Sequence, residues 1–149
     1  MLIEEMTRDA CLDFLRHHRL GRLACVCNGQ PYVTPFYFAA DKGYLYAFGT
    51  LGRKIHWMRA NPLVCVEVDE IDTPERWSSV VVMGRYEELV AGSEFEQLRH
   101  RAFSLLQQRP VWWEPGFGRA RKTEGEDRTL DPLYFRIHID EISGHVANP

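Results

Sequence analysis

The sequence predicts a mainly β, α+β fold, with about six antiparallel strands in a small barrel or sandwich and two or three helices packed on it. Three observations carry that expectation. Segments of alternating polarity recur between short turn signals, among them Asn28-Gly29 and Asp41-Lys42-Gly43. Two stretches instead repeat at helical spacing, Cys11-Phe14-Leu15-His18 and Phe95-Leu98-Ala102-Leu105-Leu106. The composition, 45% hydrophobic and 26% charged over 149 residues, is that of one soluble domain of ordinary size, spanning 1–149.

In chain order, Thr7 to His18 reads as a first helix with Thr7 as its cap. His17 and His18 are adjacent, so they point in different directions and are read as surface residues, not metal ligands. Arg22 to Cys27 is the first strand, with Leu23, Cys25 and Cys27 on one face. Cys25-x-Cys27 lacks the second pair a zinc site needs, so buried thiols are expected and no metal.

The next strand puts Thr34, Phe36 and Phe38 on one face and Val33, Pro35 and Tyr37 on the other. After the turn, Tyr44 to Phe48 returns. Thr50-Leu51-Gly52 then leads into a short helix opened by Arg53-Lys54 and closed by Asn61-Pro62, where proline cannot donate. A strand end, a small-residue turn and a helix start bring free backbone N–H groups together. Thr50 adds a hydroxyl, Arg53 a planar fork and Lys54 a point charge. The junction suits an anion. The competing reading makes Thr50 a plain helix cap, with both cations facing water.

Leu63 to Asp69 alternates as a strand, and Glu70 to Arg76 reads as a polar loop with Thr73-Pro74. Trp77 to Val90 is a long strand region whose run Val80-Val81-Val82 implies burial on both faces, with Gly84 a bend or bulge. Ser93 and Glu96 have capping-box spacing before a helix that reaches about Gln108. Arg99, His100 and Arg101 are expected to face solvent. Arg109 to Pro132 is irregular and holds Trp112-Trp113. Leu133 to Ile139 is the last strand, and the tail from Asp140 is short and polar.

A net charge of −3 argues against a dedicated nucleic-acid binder. The chain has no apolar run of membrane-spanning length and no signal-peptide pattern. The four cysteines are therefore expected as reduced thiols in the cytoplasm.

The segments QPYVTP, GYLYAF, GRK and ANPLVCVEV, in that order, resemble the pyridoxamine 5'-phosphate oxidase-like family of FMN-binding split barrels. The resemblance runs from about Gly21 to Val90, resumes near Tyr134 and is looser at Trp112-Trp113. It implies a six-stranded antiparallel split β-barrel with flanking helices, FMN as cofactor, and a homodimer with the cofactor near the subunit interface. It implies phosphate binding by Arg53 and Lys54, and cofactor contacts at Val33, Thr34, Pro35, Phe36, Ala47, Phe48 and Thr50. It also places Ser78 and Ser79 near the flavin edge or phosphate, and one of Trp112 and Trp113 at the flavin. The implied function is an FMN-dependent oxidoreductase acting on a small molecule, with the catalytic residues unassigned. A non-catalytic flavin-binding or flavin-sensing protein is the alternative, and a haem-binding relative ranks lower. The sequence has no match for the oxidase's longer basic substrate-phosphate site.

Overall fold

The computed structural model describes residues 1–108, 119–121, 127–129 and 132–149. The elements are β1 (Leu2–Glu5), α1 (Arg8–Arg16), β2 (Leu20–Cys27), β3 (Gln30–Asp41), β4 (Tyr44–Thr50), α2 (Arg53–Ala60), β5 (Leu63–Thr73) and β6 (Arg76–Glu88). They continue with α3 (Glu96–Gln107), β7 (Arg119–Arg121), β8 (Asp127–Thr129) and β9 (Pro132–Asn148). The large sheet is antiparallel in the order β1-β9-β4-β3-β2-β5-β6, and a further β6–β9 pairing joins its ends into a ring of six strands. β1 adds to the outer side of β9, and β7 pairs only with β8.

The turns form where the sequence places them. Asn28 and Gly29 have φ of 51° and 76°, and Lys42 and Gly43 have 47° and 85°. Two consecutive positive-φ residues match the twist of a tight hairpin. The inward faces then fill the ring. Phe38 pairs with Ala47, which pairs with Phe135 on its other side, and both phenylalanines are fully buried. Each such ring contributes about 2–3 kcal/mol of burial free energy, and the small Ala47 leaves room for both. The Thr7 hydroxyl accepts from Ala10 N–H at 3.2 Å, and α1 sends Cys11 and Leu15 into the core. α3 lies outside the ring, with Leu106 against Ala39 and Phe48, and Ala102 against Tyr46 and Leu89.

Several expectations need correction. β1 was unforeseen. The supposed loop at Glu70 is strand as far as Thr73, and only Pro74-Glu75 turns. The tail from Asp140 is the second half of β9, laddered to both β6 and β1. Val80 and Val82 are fully buried but Val81 only partly, so this run alternates after all. Gly84 does sit at a register shift, where a Cβ would collide with the backbone carbonyl of His138. Ser93 forms no capping box: its hydroxyl accepts from Phe95 N–H, and α3 begins without a side-chain cap. Arg99 is half-buried and donates to the Leu89 carbonyl at 2.8 Å, while His100 and Arg101 are exposed.

Candidate functional site

The ring is only partly laddered between β3 and β4. β3 pairs with β4 only from Phe38↔Ala47 to Asp41↔Tyr44, while its first half continues beside β2 alone, from Leu20↔Tyr37 to Cys27↔Gln30. The Phe38 N–H donates to the Arg19 carbonyl at 2.9 Å. Alternation along an antiparallel ladder therefore turns Phe36, Thr34 and Tyr32 toward β2 in their backbone hydrogen bonding. Val33, Pro35 and Tyr37 point their backbone groups the other way, into the open seam. Pro31 and Pro35 have no N–H, so that edge offers donors only at Val33 and Tyr37. Proline at both other edge positions also discourages a stray strand from docking there.

α2 begins at the foot of this seam. Its N-cap is Gly52, which is extended and offers no side-chain oxygen, and its first turn has no acidic residue. Thr50 is therefore not the cap. It is the last residue of β4, half-buried, opposite Pro132. Arg53 is exposed, with its guanidinium 5.4 Å from the centre of the Tyr32 ring, and Tyr32 in turn packs on Trp57 at 5.6 Å. Lys54 turns the other way and is half-buried against Gly49, where a built Cβ would lie 3.8 Å from its Cε and 4.0 Å from its Nζ. Burial holds its ammonium below the usual lysine range, with Cys25 opposing weakly. Burial pushes the Cys25 thiol up.

Among the described residues, no carboxylate pairs with Arg53 or Lys54. Arginines elsewhere are committed: Arg59 to Glu88 at 2.7 Å, and Arg85 to Asp140, Arg101 to Asp41 and Arg136 to Glu87, each at 2.8 Å. An uncapped helix start, a strand edge without a neighbour and two unpaired cations thus meet in one place. That combination suits a ligand with an anionic group and a flat body that hydrogen-bonds along one edge.

The other anticipated residues divide by strand alternation. Thr34 and Phe36 face inward, half-buried and buried, whereas Val33 and Pro35 are on the outer face, Val33 62% exposed. Ala47 is core. Phe48 faces α3, edge-on to Tyr134 at 4.9 Å. Ser78 and Ser79 pair with Glu70 and Asp69 of β5, whereas the Cys25 row meets β5 at Val64. They therefore stand roughly 17 Å up the strand from the Arg53–Lys54 end within one chain. Trp112 and Trp113 lie outside the described residues. All four cysteines are free thiols, and no group of three or more metal-binding side chains occurs among the described residues. No described helix is long and apolar enough to cross a membrane.

Sequence reasoning missed an outer-face cluster. Across the sheet, Val33, Ala24, Cys65 and Met83 form one transverse row, with Met83 52% exposed. The next row holds Pro35, Arg22, Glu67 and Val81. Burial first, and then Asp69 two residues on, lifts the Glu67 carboxyl to about 7, against the pull of Arg22. A hollow of about 410 Å³ runs from this cluster to His18. The alternation at Cys65-Val66-Glu67 was a signal that could have shown this face.

The family model for pyridoxamine 5'-phosphate oxidase matches residues 7–146. The chain belongs to the pyridoxamine 5'-phosphate oxidase-like family. A protein of Rhizobium meliloti (strain 1021) is 37% identical over 147 residues, covering 99% of this chain and 97% of that one. The crystal structure of an FAD-binding protein from Mesorhizobium loti superposes with a TM-score of 0.80 at 41% identity, covering 100% of this chain and 99% of that one. An FAD-binding protein of Mycobacterium smegmatis shares the fold, with a TM-score of 0.67 at 19% identity over 97% and 98% of the two chains. The split-barrel family's six-stranded antiparallel arrangement with flanking helices is thus the fold of this chain.

Proposed function

We propose that this chain binds a flavin nucleotide at the open β3–β4 seam and works as a flavin-dependent oxidoreductase on a small molecule. The observation that carries this is the unpaired Arg53–Lys54 pair at the uncapped start of α2, beside a strand edge with free donors. Family membership supports it, as does the 41% identical FAD-binding protein of Mesorhizobium loti. FMN and FAD share the isoalloxazine, the ribityl chain and the first phosphate, which is the part these residues fit.

When bound, a flavin supplies the electron transfer itself. The chain supplies position and charge. The Arg53 fork and the first N–H groups of α2 meet the phosphate. The Val33 and Tyr37 N–H groups are placed to hydrogen-bond the polar edge of a flat ligand. Thr34 and Tyr32 face the interior beside it.

The same reading makes the protein a homodimer through the outer sheet face. Val33, Leu63 and Met83 are each more than half exposed there, a large apolar area for a lone chain to leave in water. Arg22 and Glu67 side by side can pair reciprocally across a two-fold axis. A partner is also the source that brings Ser78, Ser79 or Trp112 and Trp113 to the cofactor.

The absorption spectrum of the purified protein tests the cofactor, and titration with riboflavin, FMN and FAD identifies which flavin it holds. Oxidation of reduced nicotinamide across a panel of acceptors separates an enzyme from a flavin-binding protein without turnover. Light scattering at low micromolar concentration should show a dimer. A flavin-loaded monomer would reject the shared site.

A further inference from the structure

We infer that Arg22 and Glu67 make self-association of this chain proton-linked: two copies meet with these four side chains alternating in sign about a two-fold axis, and each Glu67 gives up its proton to solvent. This rests on the homodimer reading above. Arg22 of β2 and Glu67 of β5 are directly opposed in the ladder on the outer face, so their Cβ atoms stand about 5 Å apart. Even so, neither makes an ion pair among the described residues. The Arg22 guanidinium instead donates to the adjoining Gly21 carbonyl at 3.4 Å. Around the pair the face is apolar, with Pro35 and Val81 in the same row and Val33 and Met83, both more than half exposed, in the next. Such a surface complements a second copy of itself. An axis through the middle of the pair sets the Arg22 of each copy against the Glu67 of the other.

The surroundings of Glu67 set the direction of the linkage. On its own strand it has Cys65 on one side and Asp69, which hydrogen-bonds it, on the other. From β2 it faces Arg22, with Pro35 of β3 beyond. From β6 it faces the uncharged Val81, with Ser79 and Met83 beside it. His17, His18 and Arg19 stand across the hollow of about 410 Å³. His18 is held by Glu70 at 3.0 Å, and His17 lies 3.7 Å from Asp13. In the single chain, burial and Asp69 outweigh one Arg22 and lift the Glu67 carboxyl to about 7. A second Arg22, brought by another copy, favours the ionised form. Association therefore lowers that value, releases protons below it, and strengthens as the pH rises through 7. A cofactor site shared between copies is then complete on the alkaline side. In the competing arrangement Glu67 stays protonated on Asp69 inside the interface, and association weakens as the pH rises.

Fluorescently labelled wild type and Glu67→Gln, as purified, are followed by sedimentation velocity from nanomolar to micromolar concentration at pH 6 and pH 8. A carboxyl that titrates near 7 is about nine-tenths protonated at the first pH and about one-tenth at the second. Two such groups act in each dimer, so the wild-type Kd should fall by roughly 100-fold from pH 6 to pH 8. Glu67→Gln should stay at the weak value at both. Arg22→Glu and Glu67→Arg form the second arm. Each alone sets like charges across the axis and should be monomeric at pH 8, whereas an equimolar mixture should form a heterodimer, because the acidic copy meets the basic one. Should an exchange variant not fold, the pH arm decides alone. The inference is overturned if wild-type affinity is equal at the two pH values, a dimer that never dissociates included, or is higher at pH 6. It is equally overturned if each exchange variant dimerises alone as wild type does, which puts the pair outside the interface. Wild type that is monomeric throughout removes the homodimer reading as well, whereas a pH-independent dimer leaves that reading standing.

Discussion

The ring has two contrasting seams. β6 and β9 pair from Trp77↔Ala147 to Glu88↔Phe135, interrupted only by the shift at Gly84. β3 and β4 pair from Phe38↔Ala47 to Asp41↔Tyr44 and then part. Along the closed seam the side chains also satisfy one another: Arg136 with Glu87, Arg85 with Asp140, and the Tyr86 hydroxyl with Glu88. Along the open one, Arg53 and Lys54 have no carboxylate among the described residues and Val33 has no partner on β4. Both seams also carry a glycine, each where a neighbour comes close. Gly84 lets β9 approach closely, whereas Gly49 lets the Phe135 ring and the Lys54 stem lie against the strand. The chain spends its own partners on holding the fold at one side and leaves the other to something else.

The largest expected effect breaks the closed seam. Gly84→Ala puts a methyl group against the His138 carbonyl and the Ile137 side chain, and backbone there cannot yield cheaply. It should cost about 3 kcal/mol of stability by chemical denaturation, with the relative affinities for FMN and riboflavin unchanged. Gly49→Ala, whose Cβ meets Phe135 at 3.3 Å, should cost much less stability and alter flavin binding instead.

Next comes Lys54→Met. A lysine whose native pKa is depressed binds fewer protons folded than unfolded, between its native value and the ordinary 10.5. The penalty is therefore complete below that native value and disappears as the pH rises past 10.5. The variant without flavin should melt roughly 2–4 °C higher at pH 7, the shift that about 1 kcal/mol gives in a chain of this size. An unchanged or lower melting point would mean that the charge is already compensated.

The smallest effect belongs to the outer face. The Glu67 carboxyl is raised from 4.5 to about 7, so the folded chain holds more protons than the unfolded chain between those values. Its contribution to stability falls as pH rises through that window. Glu67→Gln should gain on wild type at pH 8 and show no difference near pH 4, measured by thermal melts at low concentration. A difference of equal size at both ends would assign the effect to packing.

Much of this fold was legible because its signals are local. Hairpin turns need positive φ, and Asn28-Gly29 and Lys42-Gly43 announce it. Helix α2 is bracketed by Gly52 and Pro62. What was hidden depends on contacts distant in sequence. β1 exposes all four residues, so no periodicity marks it. The second half of β9 reads as a tail because Gly144 sits where a Cβ would press on Cys11 and Met6, which removes an apolar signal just where the strand is most enclosed. The candidate site was legible as a place but not as an arrangement. Arg53 and Lys54 stood out as a pair, yet the rule that separated His17 from His18 also applied to them and sends their side chains apart. The packing of Phe48 beside Leu106 of α3, distant in sequence, is likewise a contact that no local pattern shows.

The flavin at the open seam is tested most directly by the selectivity of Arg53 for the phosphate. Apo-protein and its Arg53→Ala variant are each titrated with FMN and with riboflavin, following flavin fluorescence at fixed ionic strength. Loss of one charge-assisted phosphate contact is worth about 2 kcal/mol, so FMN should weaken by roughly 30-fold while riboflavin holds its affinity. Equal losses for the two ligands, or no loss for either, would contradict the account and remove the phosphate from the start of α2.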